Sequence, residues 1–164
     1  MKRIREVAVQ VSKDYENRDI LLVAALKGAV NTLAVFSQEL SLNAPMDFMS
    51  LSSYGSGTKS SGQITVREDL TTDVRGRNVL IVEDIVDSGK TLDWLVKELK
   101  SRGAASVKVF ALLTKPARRE VEVDITYVGF EIPDAFVVGF GMDYDEKYRN
   151  LDSIAVLKPS VYES

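Results

Sequence analysis

Three carboxylates fall within five residues at Glu83, Asp84 and Asp87, directly after the apolar run Val79-Leu80-Ile81-Val82. Carboxylates this close repel one another and lose solvation, so a structure keeps them together only where something positive or hydroxyl-rich meets them. A helix dipole at the following N-terminus would account for one acid and not for three. The residues that follow are Ser88-Gly89-Lys90-Thr91. At a helix start the backbone N–H groups are unpaired, Gly89 allows close approach, and Ser88 and Thr91 add hydroxyl donors. The string therefore reads as acids beside an anion cradle, suited to a phosphorylated sugar with a divalent cation. The nucleotide-triphosphate loop also ends in Gly-Lys-Thr, but it needs a glycine where this chain has Asp84.

The chain holds no His and no Cys, so thiolate chemistry, disulfides and zinc held by nitrogen or sulfur are excluded. Proton transfer falls to Asp, Glu, Lys or Tyr, and an oxygen-held metal points to Mg2+. With 21 basic and 24 acidic residues the net charge is −3, which argues against a dedicated nucleic-acid binder. No apolar stretch is long enough to span a membrane, and Met1-Lys2-Arg3-Ile4-Arg5-Glu6 lacks a signal-peptide core, so a cytoplasmic location is expected. A length of 164 residues is read as a single domain, 1–164.

The elements that must position these groups alternate. Ile4, Val7, Ala8, Val11 and Tyr15 follow helical spacing, and residues 20–25 form a short apolar strand. Lys27-Gly28 breaks the strand, and Val30, Leu33, Ala34, Ser37 and Leu40 restore helical spacing. Residues 46–52 and 64–70 read as two strands of an antiparallel excursion around a Gly/Ser-rich loop, 54–63. Residues 79–82 are the plainest buried strand, followed by a helix carrying Leu92, Leu95, Val96 and Leu99 and closed by Gly103. Further strands are expected at 107–113, 125–130, 136–140 and 154–157. Such alternation predicts an α/β fold with a central parallel sheet flanked by helices, its ligands bound beyond the carboxyl ends of the strands. Trp94 lies off the apolar stripe of its helix and is expected to be exposed at a subunit contact.

The strand followed by Glu83-Asp84, two residues, and Asp87-Ser88-Gly89-Lys90-Thr91 resembles the signature of type I phosphoribosyltransferases. Nearly the whole chain takes part in the resemblance, and its best match is the hypoxanthine-guanine branch. Leu26-Lys27-Gly28 resembles the pyrophosphate loop, where the family often has a cis peptide before the lysine. Ser53-Tyr54 resembles the start of a mobile flap covering residues 54–63. Lys115 follows its strand as the base-binding lysine does. The segments Gly129-Phe130-Glu131-Ile132-Pro133-Asp134-Ala135-Phe136-Val137-Val138-Gly139 and Met142-Asp143-Tyr144 with Lys147-Tyr148-Arg149-Asn150-Leu151 resemble the base-pocket and closing segments.

The resemblance implies a sheet with a small hood beside it, a homodimer or homotetramer, and transfer of a phosphoribosyl group from 5-phosphoribosyl-1-pyrophosphate to a 6-oxopurine. Asp87 would accept the purine 7-nitrogen proton, and the 6-oxopurine branch is the one that carries Asp at this position. Glu83 and Asp84 would hold the ribose hydroxyls, partly through Mg2+, and Asp143 would hold a second Mg2+. Asp87, Ser88, Gly89, Lys90 and Thr91 would anchor the 5′-phosphate. Lys115 would donate to the 6-oxo group, Phe136 would stack on the purine, Val137 would offer backbone groups, and Arg149 would meet pyrophosphate. Read without the family, Lys115 is a solvated lysine in a loop, and Phe136 and Val137 are ordinary strand core. A xanthine-preferring transferase and a non-catalytic regulator that binds the same activated sugar are the alternatives.

Overall fold

The computed structural model describes residues 1–53 and 64–162. The expected flap from Tyr54 through residue 63 lies outside the described residues. Six strands form the main sheet in the order β3-β2-β1-β4-β5-β6. They are β1 (Ile20–Leu26), β2 (Met46–Ser53), β3 (Ile64–Glu68), β4 (Asn78–Val86), β5 (Ser106–Thr114) and β6 (Tyr127–Glu131). All neighbours are parallel except β3, which runs antiparallel to β2, so the excursion expected from sequence is present.

Burial on two faces explains the uninterrupted apolar runs of β1 and β4. Leu22, Ala24, Leu80 and Val82 pack on one face against Ile4, Val7 and Val11 of α1 (Lys2–Asp14) and Leu33 and Phe36 of α2 (Val30–Glu39). Leu21, Val23, Val79 and Ile81 pack on the other against Leu92, Leu95 and Leu99 of α3 (Lys90–Ser101). The helix after β1 and the helix after β4 thus lie on opposite faces. Adjacent strands whose connections part in this way leave a crevice at their carboxyl ends.

Three expectations need correction. β4 does not stop at Val82: it stays in register with β5 as far as Val86, opposite Thr114. Glu83 and Asp84 are therefore strand residues, and their polarity masked the strand. The stretches 136–140 and 154–157 shrink to β7 (Val137–Val138) and β8 (Ala155–Val156), an antiparallel pair that stands as the expected hood. Gly139 and Gly141 have φ of 93° and 101°, so the chain turns there and the extended conformation ends. Trp94 is not a free indole on the surface. It is half-buried and packs against the core cluster that holds Leu92, Leu95 and Leu99.

Candidate active site

The crevice is a cleft of about 630 Å³ between the ends of β1 and β4 and the hood. At the end of β1 the Leu26–Lys27 peptide is cis, as expected from the resemblance. Gly28 then passes so close to β4 that a Cβ built there would lie 2.1 Å from Asp84 Oδ2. Glycine is required here by contact alone, since Gly28 is not among the residues of positive φ.

Glu83 is buried, at 7% exposure. Burial pushes its carboxyl well above the ordinary range, and the neighbouring charge of Asp84 pushes it further. Burial also raises Asp84, opposed by the Ile85 N–H that donates to its Oδ1 at 2.8 Å and by the charge of Arg149. Two adjacent acids held this way carry an unmet demand for positive charge.

β4 passes into α3 through Asp87, Ser88 and Gly89. Gly89 caps the helix with φ of 84°, and no side chain caps the first turn. The Lys90 N–H donates to Ser88 Oγ at 3.4 Å, and the other N–H groups of that turn are available to an anion. The loop is fixed from behind. Glu120 and Val121 donate backbone N–H groups to the Ser88 carbonyl at 3.0 and 3.1 Å. Arg119 donates Nε to the Asp87 carbonyl at 3.2 Å and Nη2 to Thr114 Oγ1 at 2.7 Å.

Lys115 is not a solvated loop lysine. It is 6% exposed, its N–H donates to the Val86 carbonyl at 3.0 Å, and its Nζ lies 3.1 Å from Asp87 Oδ1. Across the cleft stand Phe136 and Val137. Asp143 pairs with Arg149 Nη2 at 2.9 Å, and Arg149 Nη1 donates to the Gly141 carbonyl at 2.8 Å. Arg149 Nε is buried with no partner among the described residues. Lys27 Nζ reaches Glu146 at 2.7 Å, and Arg149 pairs with the same carboxylate at 3.1 Å.

Of the residues singled out in the sequence, Leu26, Lys27, Gly28, Glu83, Asp84, Asp87, Ser88, Gly89, Thr91, Lys115, Phe136, Val137, Asp143 and Arg149 line this one cleft. Lys90 turns its ammonium to Glu120 instead. Ser53 ends β2 opposite Ile64, and Tyr54 lies outside the described residues. Sequence reasoning passed over Arg118 and Tyr162, which line the cleft, and Arg119, which braces its loop, and it named Asp134, also in the lining, only within the segment resembling the base pocket. Arg118-Arg119 is one of two adjacent basic pairs in the chain, with Lys2-Arg3, and carries no local signal of what it would touch.

The family profile described as Phosphoribosyl transferase domain matches residues 1–145. The hypoxanthine-guanine phosphoribosyltransferase of Bacillus subtilis is 47% identical over 163 residues, covering 99% of this chain and 91% of that protein. The chain belongs to the hypoxanthine-guanine phosphoribosyltransferase family. The Mycobacterium avium member is 47% identical over 167 residues, covering 98% of this chain and 82% of its own length. A crystal structure of a hypoxanthine phosphoribosyltransferase from Staphylococcus aureus superposes with a TM-score of 0.96 at 39% identity, covering 99% of this chain and 89% of that one. Arg149 and Tyr162 lie beyond the residues matched by the family profile, in a stretch that these phosphoribosyltransferases share over nearly the whole chain.

Proposed function

We propose that this chain is a purine-salvage enzyme that transfers the phosphoribosyl group of 5-phosphoribosyl-1-pyrophosphate to hypoxanthine or guanine. The products are the nucleotide and pyrophosphate. The observation that carries the reading is the buried Lys115 facing Asp87 at 3.1 Å, beside the uncapped first turn of α3. One donor and one acceptor at that spacing suit the 6-oxo group and the 7-nitrogen proton of one purine edge. A 6-amino group would meet the ammonium with another donor, and such a mismatch at a buried polar site is rejected strongly.

The 9-nitrogen attacks the ribose 1′ carbon while the bond from that carbon to the pyrophosphate oxygen breaks. The purine becomes cationic, and its 7-nitrogen proton passes to Asp87. A carboxylate is a weak base near neutral pH, so this transfer follows attack. The first turn of α3, with Ser88, Gly89 and Thr91, holds the 5′-phosphate and so fixes the 1′ carbon. Such positioning supplies up to about 7–11 kcal/mol of barrier reduction. The Lys27 and Gly28 backbone and the Arg149 guanidinium line the part of the cleft that would face the leaving pyrophosphate.

The all-oxygen donor set fits Mg2+. Among the described residues no three acids cluster into a cage. Mg2+ commonly sits on one or two carboxylates together with substrate phosphates. Glu83 and Asp84 would hold one ion with the ribose hydroxyls, and Asp143 a second with pyrophosphate. When bound, the metal neutralises charge on the leaving group. The reading also takes residues 1–164 as one domain, a cytoplasmic location, and a homodimer or homotetramer. No described helix is long and apolar enough to cross a membrane.

The test is a base panel of hypoxanthine, guanine, xanthine, adenine and uracil with 5-phosphoribosyl-1-pyrophosphate, with and without magnesium. Nucleotide from hypoxanthine or guanine, dependent on magnesium, is expected. Nucleotide mainly from xanthine would change the specificity, and none from any base would leave a binding regulator.

A further inference from the structure

Phe136 sits in the cleft with 38% of its surface exposed, a large fraction for a phenyl ring that must hold one orientation. Its neighbours are two tyrosines. Tyr162 stacks on it, with ring centroids 5.2 Å apart and planes at 28°. Tyr144 meets it at 89° and 5.6 Å. Both are favoured aromatic arrangements.

Tyr162 is brought there by several anchors. β8 pairs with β7 immediately after Phe136, and the Leu157 N–H donates to the Phe136 carbonyl at 2.8 Å. A 3₁₀ turn, Pro159–Val161, then doubles the chain back, and the Tyr144 hydroxyl donates to the Val161 carbonyl at 3.3 Å. Tyr162 itself is half-buried and lines the cleft.

We infer that Tyr162 is a positioning residue for the base site: it occupies one face of Phe136, fixes the tilt of that ring, and leaves the other face for the purine. The inference rests on the reading that Phe136 stacks on the base, and it adds a residue that sequence spacing did not indicate. Tyr162 acts through Phe136 and is not assigned contact with the reacting atoms. Its effect therefore falls on purine binding, since its stacking partner is Phe136 and the phosphate loop belongs to β4 and α3.

The experiment compares Tyr162→Ala, Tyr162→Leu and Tyr162→Phe with the unaltered chain. It measures KM for hypoxanthine and for 5-phosphoribosyl-1-pyrophosphate separately, with kcat and melting temperature. Loss of one aromatic stack is expected to raise the hypoxanthine KM about 3- to 10-fold in the Ala and Leu variants. The KM for the sugar substrate is expected to stay within about twofold, and Tyr162→Phe to restore the purine KM. Should the Ala variant fold poorly, the Leu variant keeps apolar volume and carries the same expectation. An unchanged purine KM in a folded Ala or Leu variant overturns the inference. A lowered purine KM also overturns it, because Tyr162 would then occupy the purine's own face. Equal rises in both KM values, or failure of Phe to rescue, overturn it as a general loosening or a hydroxyl effect. Absence of turnover in the unaltered chain would refute the function reading instead, so the two failures are distinct.

Discussion

Gly28→Ala offers the sharpest test of the contact between the ends of β1 and β4. The added Cβ would lie 2.1 Å from Asp84 Oδ2 and 3.0 Å from its Cγ, where ordinary contact begins at 3.4 Å. One of the two must therefore move by about 1 Å. Asp84 is a short side chain held by the Ile85 N–H at 2.8 Å, so it has little room to swing aside. Gly28 is also held from its other side, since a Cβ on Gly141 would lie 2.1 Å from the Gly28 carbonyl oxygen. Overpacking of this kind costs about 1–3 kcal/mol of stability. For a domain of this size that is a fall of roughly 2–12 °C in melting temperature, taking about 2–4 °C per kcal/mol. Misplacing a positioning group by about 1 Å costs on the order of 10²-fold in rate. The expected result is a variant that melts a few degrees lower, with kcat/KM for 5-phosphoribosyl-1-pyrophosphate reduced by about 10²-fold at saturating magnesium. Melting is followed by calorimetry and turnover by ultraviolet absorbance of the nucleotide. Retention of kcat/KM within about threefold would refute the assignment of Asp84 and the Gly28 backbone to one substrate.

Asp87→Asn preserves shape but cannot accept the purine proton, so kcat is expected to fall about 10²- to 10⁴-fold with binding of 5-phosphoribosyl-1-pyrophosphate retained, as checked by steady-state kinetics and calorimetric titration. Lys115→Met removes the donor to the 6-oxo group and the partner of Asp87, and the hypoxanthine KM is expected to rise about 10- to 100-fold; an unchanged KM in initial-rate assays would remove Lys115 from the base site. Asp47 bears on stability alone: burial would raise its carboxyl, but hydrogen bonds from Phe48, Thr72 and Thr71 together hold it below its ordinary value of 3.8. A depressed carboxyl stabilises the fold above that ordinary value and loses the contribution as pH falls through the lower folded one. Asp47→Asn is thus expected to cost about 1–3 kcal/mol at pH 7, with the gap to the unaltered chain closing below about pH 4 in denaturant melts.

The parts of the fold that were legible are those where one local pattern has one cause. The apolar runs of β1 and β4 mean burial on both faces, and Leu92, Leu95 and Leu99 at helical spacing mean one buried stripe. The strand through Glu83-Asp84 was not legible past Val82, because two buried acids contradict the pattern that a strand of this kind otherwise follows. That contradiction is itself the signal of the site. A chain keeps Glu83 buried at a cost in solvation where function requires it, so the break in the pattern and the chemistry are one fact.

The same logic separates the residues that would touch a ligand from those that hold them. Glu83, Asp84, Asp87 and the uncapped turn at Gly89 could be read as chemistry, because the ligand's charge dictates the residue type. Lys115 could not be read from spacing, which placed it in solvent. It became legible through the resemblance, and its burial follows from an N–H bonded across to the Val86 carbonyl. Arg119 and Tyr162 answer to no ligand at all. Arg119 is needed because a loop opened to an anion has its carbonyls facing the other way, and the Asp87 carbonyl must find a donor behind it. Tyr162 would be needed because a ring that presents one face to a base must be held on the other. Their partners lie 32 and 26 residues away along the chain, so what specifies them is the approach of β4 to the segment after β5 and of the hood to its own tail. Supporting residues of this kind follow from the fold once the ligand-facing ones are fixed, and their kinetic effects should divide by substrate, with Tyr162 acting on the purine and Arg119 on the phosphorylated sugar.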